Sequence, residues 1–188
     1  NTATPAMLSN HYLDTLNVRP VWAMGLDGTG IGVAVIDSGI SPDNDLPNIA
    51  AAVTFSPNAS TTNDHFGHGT HVAGIIVDTT FDNVKLNAYK VADSYGNGTD
   101  YSVAAGINAA VADGVDIINV SMGGQGTSAV LDQAVAGATA AGILICVASG
   151  NANIDADACV PASCPGAFTV AAVNSNLERA AFSNYGDC

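Results

Sequence analysis

Five short runs of apolar residues recur along the 188-residue chain: Ile31–Ile36, Val84–Val91, Val115–Val120, Ile143–Ala148 and Phe168–Val173. They are rich in β-branched residues and too short for stable helices, so they read as strands buried on both faces. Between them lie His71–Val77, Ser102–Asp113 and Ser128–Ala141, where small and apolar residues follow a helical period. Strands alternating with helices predict an α/β fold, a doubly wound and mostly parallel sheet with helices on both faces. A further helix is expected over Met7–Leu16. The length suits one domain, and no linker or repeat divides it.

Composition narrows the partners. The chain carries 17 acidic and 4 basic residues, a formal net charge of −13. Such a surface repels phosphate and anionic lipid, so nucleic acid and membrane surfaces are excluded as partners. Of the acids, only Glu178 is not Asp. Aspartate favours turns, caps and hard cations, which raises calcium as a structural ligand. No run of 18 apolar residues exists, so no segment reads as a membrane span. The chain opens at Asn1 with neither Met nor a basic leader, and is read as a processed or cut product.

Cys146 lies in an apolar run and reads as a buried thiol, while Cys159, Cys164 and Cys188 crowd the C-terminal end in loop-like sequence. No C-x-x-C pair points to zinc or thioredoxin chemistry. Loop cysteines without a metal pattern favour an oxidising compartment.

In a doubly wound sheet, ligands bind at the carboxyl ends of the strands. The residues there are Asp37-Ser38-Gly39, Ser121-Met122-Gly123-Gly124 and Ser149-Gly150-Asn151. Gly67-His68-Gly69-Thr70-His71, just before the second predicted helix, joins the same edge. A carboxylate, an imidazole and an amide would thus converge. His65, His68 and His71 raise a metal site as a rival, but i and i+6 do not share a helix face and the glycines disfavour one helix through all three. Gly28-Thr29-Gly30-Ile31-Gly32 raises a nucleotide loop, but these glycines precede a strand rather than follow one.

At these residues the chain resembles the subtilisin-like serine proteases, the subtilases. The matching stretches are Val35–Ile40 (VIDSGI), His68–Gly74 (HGTHVAG), Ser121–Gly124 (SMGG) and Ala148–Asn151 (ASGN), in the family's order and spacing. Ala181–Gly186 (AFSNYG) is similar to the proteinase K and aqualysin branch. The resemblance runs from about Val21 onward and implies a secreted serine endopeptidase acting on polypeptides, monomeric, with no catalytic cofactor. It implies Asp37 as the acid that orients His68, His68 as the general base, and Asn151 as an oxyanion donor worth about 3 kcal/mol. It makes Ser121–Gly124 one wall of the substrate cleft, the opposite wall coming from Gly96–Tyr101, with Gly98, Thr99 and Tyr101 in contact. Ala148 and Ala152 leave the first specificity pocket apolar, which favours large apolar side chains there.

The family's nucleophile belongs to a Gly-Thr-Ser-Met-Ala motif that would fall beyond Cys188. The chain is therefore expected to be the N-terminal two-thirds of one subtilase catalytic domain, residues 1–188, partnered by the missing C-terminal part and inactive alone. The alternative is an inactive protease-like scaffold that binds peptide. Gly126-Thr127-Ser128-Ala129 is a decoy, since Ser128 is the expected cap of the helix it opens. For calcium, the resemblance implies Asp45 as a ligand in some subtilases, and the backbone carbonyls of Pro165 and Ala167 in a proteinase K-like site whose carboxylate would lie past Cys188. Val77–Val84 is too short for the calcium loop of the bacterial subtilisins. Cys159 and Cys188 match positions bridged in aqualysin-like relatives; that bridge would close a loop of about 30 residues, worth roughly 3 kcal/mol. Cys164 is the rival partner.

Overall fold

The computed structural model describes residues 11–42, 46, 49–57, 59–80 and 83–188. In chain order its elements are α1 (His11–Thr15), α2 (Val18–Ala23), β1 (Gly32–Asp37), β2 (Ile49–Thr54), α3 (His68–Thr79), β3 (Lys85–Lys90), α4 (Asp100–Ala112), β4 (Ile117–Val120), β5 (Gly124–Gln125), α5 (Ala129–Ala140), β6 (Leu144–Ala148), a 3-10 turn (Ala156–Ala158), β7 (Cys159–Val160) and β8 (Phe168–Val170). Six strands form a parallel sheet in the order β2-β3-β1-β4-β6-β8, and β5 pairs with β7 in a small antiparallel ribbon.

Alternation along each strand builds two cores, as the pleat requires. On one face Ala34 and Ile36 of β1, Tyr89 of β3, Ile118 and Val120 of β4, and Ile145 and Val147 of β6 pack under α4 and α5. On the other, Val33 and Val35 of β1 and Leu86 and Ala88 of β3 pack under Ala73 and Val77 of α3. The fold is thus the α/β sheet with helices on both faces. On the α3 side, Leu144 of β6 lies beside Ile117 of β4, and the register puts Cys146 and Ala148 beside Phe168 and Val170 of β8. Leu144, Phe168 and Val170 are about half exposed there.

The winding reverses at β1, whose neighbours are β3 on one side and β4 on the other. A crevice opens at such a switch point, outside the carboxyl ends of the strands. Asp37 is the last residue of β1.

Several expectations shift. Helix α3 starts at His68 rather than His71, because Asp64 satisfies its first-turn donors: Oδ1 accepts from Gly67 N–H and Oδ2 from Thr70 N–H. Helix α4 starts at Asp100, with Thr99 and Ser102 forming a capping box. Ser128 is the N-cap residue of α5, although its hydroxyl makes no capping bond. Strand β8 ends at Val170, earlier than the expected Val173, as Ala172 N–H turns away to Ser183 Oγ. Strand β2 was not expected. The N-terminal helix covers His11–Thr15 and breaks at Asn17, which has φ 54°; Met7 to Asn10 lie outside the described residues.

The expected Cys159–Cys188 bridge is not formed, and all four cysteines are free. Cys159 is buried on β7, where its sulfur accepts from Asn184 Nδ2 at 3.3 Å, while Cys188 is exposed. Cys164 lies in the loop between β7 and β8, as expected, and that loop buries it in the main core. Burial, reinforced by Asp132, pushes its thiol up to about 12.

Candidate active site

Asp37 is 1% exposed, so its carboxylate is the costliest charge of the site to bury. Donors compensate it. Ser38 N–H donates to Oδ1 at 2.7 Å, and His68 Nδ1 lies 2.8 Å from Oδ1 and 2.9 Å from Oδ2. An ionised carboxylate can only accept, so Nδ1 carries the proton and Nε2 is left with its lone pair. The His68 side chain is 42% exposed. It borders a small cavity shared with Asp37, Phe66, Ala92, Gly96, Ser121 and Met122. The pair therefore offers a fixed base to a ligand on its open side.

Strand and helix fix this geometry together. Asp37 is held by the β1 ladder, and His68 by the first turn of α3. The two elements meet at Gly69, whose N–H donates to Ser38 Oγ at 2.9 Å. A Cβ on Gly69 would lie 2.2 Å from Gly39 O, so only glycine lets helix and strand approach this closely.

Asn151 follows β6 on an exposed loop. Gly150 before it has φ +107°, and a Cβ there would lie 2.4 Å from Asn184 Nδ2. The buried Asn184 pins this loop: its Nδ2 donates to Ser149 O at 2.8 Å, and its Oδ1 accepts from Ala152 N–H at 2.9 Å and Ile154 N–H at 3.2 Å. Asn151, Ala148 and Ala152 line a cavity of about 400 Å³ with Ser121–Gln125, and no charged side chain lines it. On the other side of the same Met122–Gly124 segment is a second cavity of about 240 Å³. Gly98, Thr99, Asp100, Val103 and Leu131 line it. Ser121 borders both the His68 cavity and the Asn151 cavity, which joins them into one cleft.

The structure thus brings together Asp37, His68, Asn151, Ser121, Met122, Gly123, Gly124, Ala148, Gly98 and Thr99. Tyr101 stands 78% exposed on α4 and lines neither of the two larger cavities. The wall is also less bare than expected, since Gly124 and Gln125 pair with Val160 and Cys159. His71 faces a different cavity, with Tyr12 and Asp78. For calcium, Asp45 lies outside the described residues. Among the described residues no three acidic, histidine or cysteine side chains cluster as a metal site.

Asp64 and Lys90 escaped the sequence reading, and Asn184 entered it only as part of the Ala181–Gly186 stretch, with no role. Asp64 Oδ1 also accepts from Ser38 Oγ at 2.9 Å and from Phe66 N–H at 3.0 Å. Lys90 is fully buried at the end of β3, opposite Asp37 in the ladder. Burial pushes its ammonium down, against the nearby charges of Asp64, Asp93 and Asp37. The only sequence signal was position: Asp64 four residues before His68, and Lys90 next to last in the run Val84–Val91.

Comparison with known proteins agrees with this geometry. The chain is 41% identical over 170 residues to the alkaline protease of Alkalihalobacillus alcalophilus, covering 86% of this chain and 44% of that protein. Subtilisin Savinase of Lederbergia lenta is likewise 41% identical over 170 residues, with 62% of its length covered. The crystal structure of a cold-adapted subtilisin-like serine proteinase superposes with a TM-score of 0.79 at 34% identity, over 87% of this chain and 62% of the other. The chain thus spans about half to two-thirds of the length of these relatives. The subtilase family model matches residues 28–188, and the chain belongs to that family.

Proposed function

We propose that this chain carries the base, the oxyanion donor and the substrate cleft of a secreted serine endopeptidase. The observation that carries the reading is the buried Asp37 carboxylate on His68 Nδ1, with His68 bordering the cleft. In this reading His68 Nε2 takes the proton of a serine hydroxyl as it attacks the scissile carbonyl, then returns it to the leaving amine. Asp37 holds the tautomer and stabilises the imidazolium. Asn151 donates to the oxyanion, a contribution of about 3 kcal/mol. An extended peptide lies along Ser121–Gly124, with a large apolar side chain in the uncharged Ala148–Ala152 pocket. Secretion rests on the family likeness alone; the free cysteines add nothing to it.

The nucleophile comes from outside these 188 residues. Ser128 is 7% exposed at the start of α5, and among the described residues no hydroxyl bonds His68 Nε2. A fluorophosphonate probe tests this. The chain by itself should stay unlabelled, and labelling at Ser128 would refute the assignment. Appending a subtilase C-terminal segment with its Gly-Thr-Ser-Met-Ala helix should give labelling and peptide hydrolysis. His68→Ala should then lower kcat by several orders of magnitude, on the order of 10⁴ or more. A completed chain that binds peptide but never hydrolyses it would leave only the scaffold reading.

A further inference from the structure

Lys90 is a buried charge that no ion pair compensates: a lysine 1% exposed, with no carboxylate within ion-pair distance among the described residues. A buried ammonium is destabilising unless something offsets it. What it does hold is two backbone carbonyls. Its Nζ donates to Ser38 O in a short bond and to Asn63 O at 3.0 Å.

Those carbonyls belong to the two segments that aim the base. Ser38 follows Asp37, and its N–H and Oγ both donate to Asp37 Oδ1. Asn63 precedes Asp64, which holds the Gly67–Thr70 turn and thereby the start of α3 at His68. Ser38 Oγ reaches Asp64 Oδ1 as well. Hydrogen bonds tie segment 37–38 to segment 63–64, and Gly39 packs on the Thr62 and Asn63 backbone beside them. A flexible stem with a compact cationic head can bridge two carbonyls from below, where a planar or neutral head fits less well. Burial pushes the ammonium down, and the charges of Asp64, Asp93 and Asp37 oppose that without outweighing it.

We infer that Lys90 is a positioning residue: by clamping the Ser38 and Asn63 carbonyls it sets the Asp37 carboxylate against His68 Nδ1 and so fixes the imidazole tautomer. The inference rests on reading Asp37 and His68 as the base pair, but it concerns the ring's protonated nitrogen and needs no catalysis to test. A neutral imidazole released from its partner prefers the Nε2–H form in water; only the carboxylate makes Nδ1–H dominant.

The experiment is ¹⁵N NMR of the His68 ring in the 188-residue chain at mildly alkaline pH, where Nδ1–H and Nε2–H forms differ widely in nitrogen shift. In the parent, His68 should be almost wholly Nδ1–H. In Lys90→Met about half or more of it should revert to Nε2–H, while Lys90→Arg retains more of the parental form. Ile145→Ala, in the core away from the site, should lose stability and leave the tautomer unchanged, so instability alone is separated from positioning. If Lys90→Met does not fold, Lys90→Gln is measured in sucrose, which favours the compact state by exclusion, with the same outcomes. A folded uncharged variant that keeps the parental tautomer overturns the role of Lys90 and leaves the base pair standing. A parent already in the Nε2–H form refutes the Asp37–His68 reading itself, and this inference with it.

Discussion

Asp64 shows how much one side chain off the motif can control. Its two oxygens accept from Ser38 Oγ, the Phe66, Gly67 and Thr70 N–H groups, and Thr70 Oγ1. Burial by itself pushes this carboxyl up. The bonds from Thr70, Gly67 and Ser38 outweigh it and hold the group below the usual carboxylate range. The folded state therefore binds this proton less readily than the unfolded chain. The stabilisation is complete above the unfolded carboxylate value, about pH 4, and is lost as pH falls through the lower folded value. Asp64→Ala should cost about 1–2 kcal/mol at neutral pH, as capping losses do, and should flatten the loss of stability below about pH 4. Urea titrations across the acid range measure both. An unchanged acid slope would mean that the bonds around Asp64 do not discriminate between its two forms. Only its place four residues before His68 marked this residue, because its partners come from a strand end, a loop and a helix turn that only the fold assembles.

At the level of elements, the strands and helices with strong periodicity were legible and their ends were not. The runs that became β1, β3, β4 and β6 are rich in apolar and β-branched residues, and each is buried on at least one face. Strand β2 was invisible because Ile49–Thr54 is an edge strand whose alanines are exposed, so no burial pattern marks it. The β5–β7 ribbon is two residues long on each side, below what alternation can reveal. Helix α3 was read as starting at His71, since its first turn, His68-Gly69-Thr70, has the composition of a loop. That turn is where strand and helix come closest. A methyl on Gly69 would meet Gly39 O at 2.2 Å and Asp37 Cβ at 3.1 Å, and both neighbours are fixed by the β1 ladder and its turn. Gly69→Ala should cost about 1–3 kcal/mol, the range for overpacking, by pushing α3 off β1. Because His68 rides on that turn, the variant should also weaken the Asp37–His68 contact, read as a loss of the Nδ1–H form. A Gly69→Ala chain with parental stability and tautomer would show that helix and strand have slack between them.

For the whole molecule, the family pattern was legible because its four motifs fall at the strand and helix ends that form one edge of the sheet. Their supporting residues were not, since Lys90 and Asn184 act through buried hydrogen bonds to backbone. Charge is the other global property, and it was legible from composition but not in its distribution. Of the four basic residues, Lys90 is buried, Arg19 pairs with Asp14 at 2.9 Å, and Arg179 is engaged by Asn153 and the Ser183 carbonyl. Little positive charge is left to offset a net −13. Compaction brings these carboxylates closer than they stand in the unfolded chain, so their repulsion opposes folding. Salt should relieve it. The Debye length falls from about 30 Å at 0.01 M to about 8 Å at 0.15 M, which removes most of the long-range repulsion and leaves hydrogen-bonded pairs such as Asp37–His68 nearly untouched. Thermal unfolding across that range, with EDTA present to exclude divalent ions, should show a rise of about 1 kcal/mol, or about 2–4 °C in Tm. Sodium chloride and tetramethylammonium chloride should act alike, since screening depends on ionic strength and not on the cation. A Tm that is flat or falls with salt would mean that the acidic surface is locally compensated and that composition misstates the field around the protein.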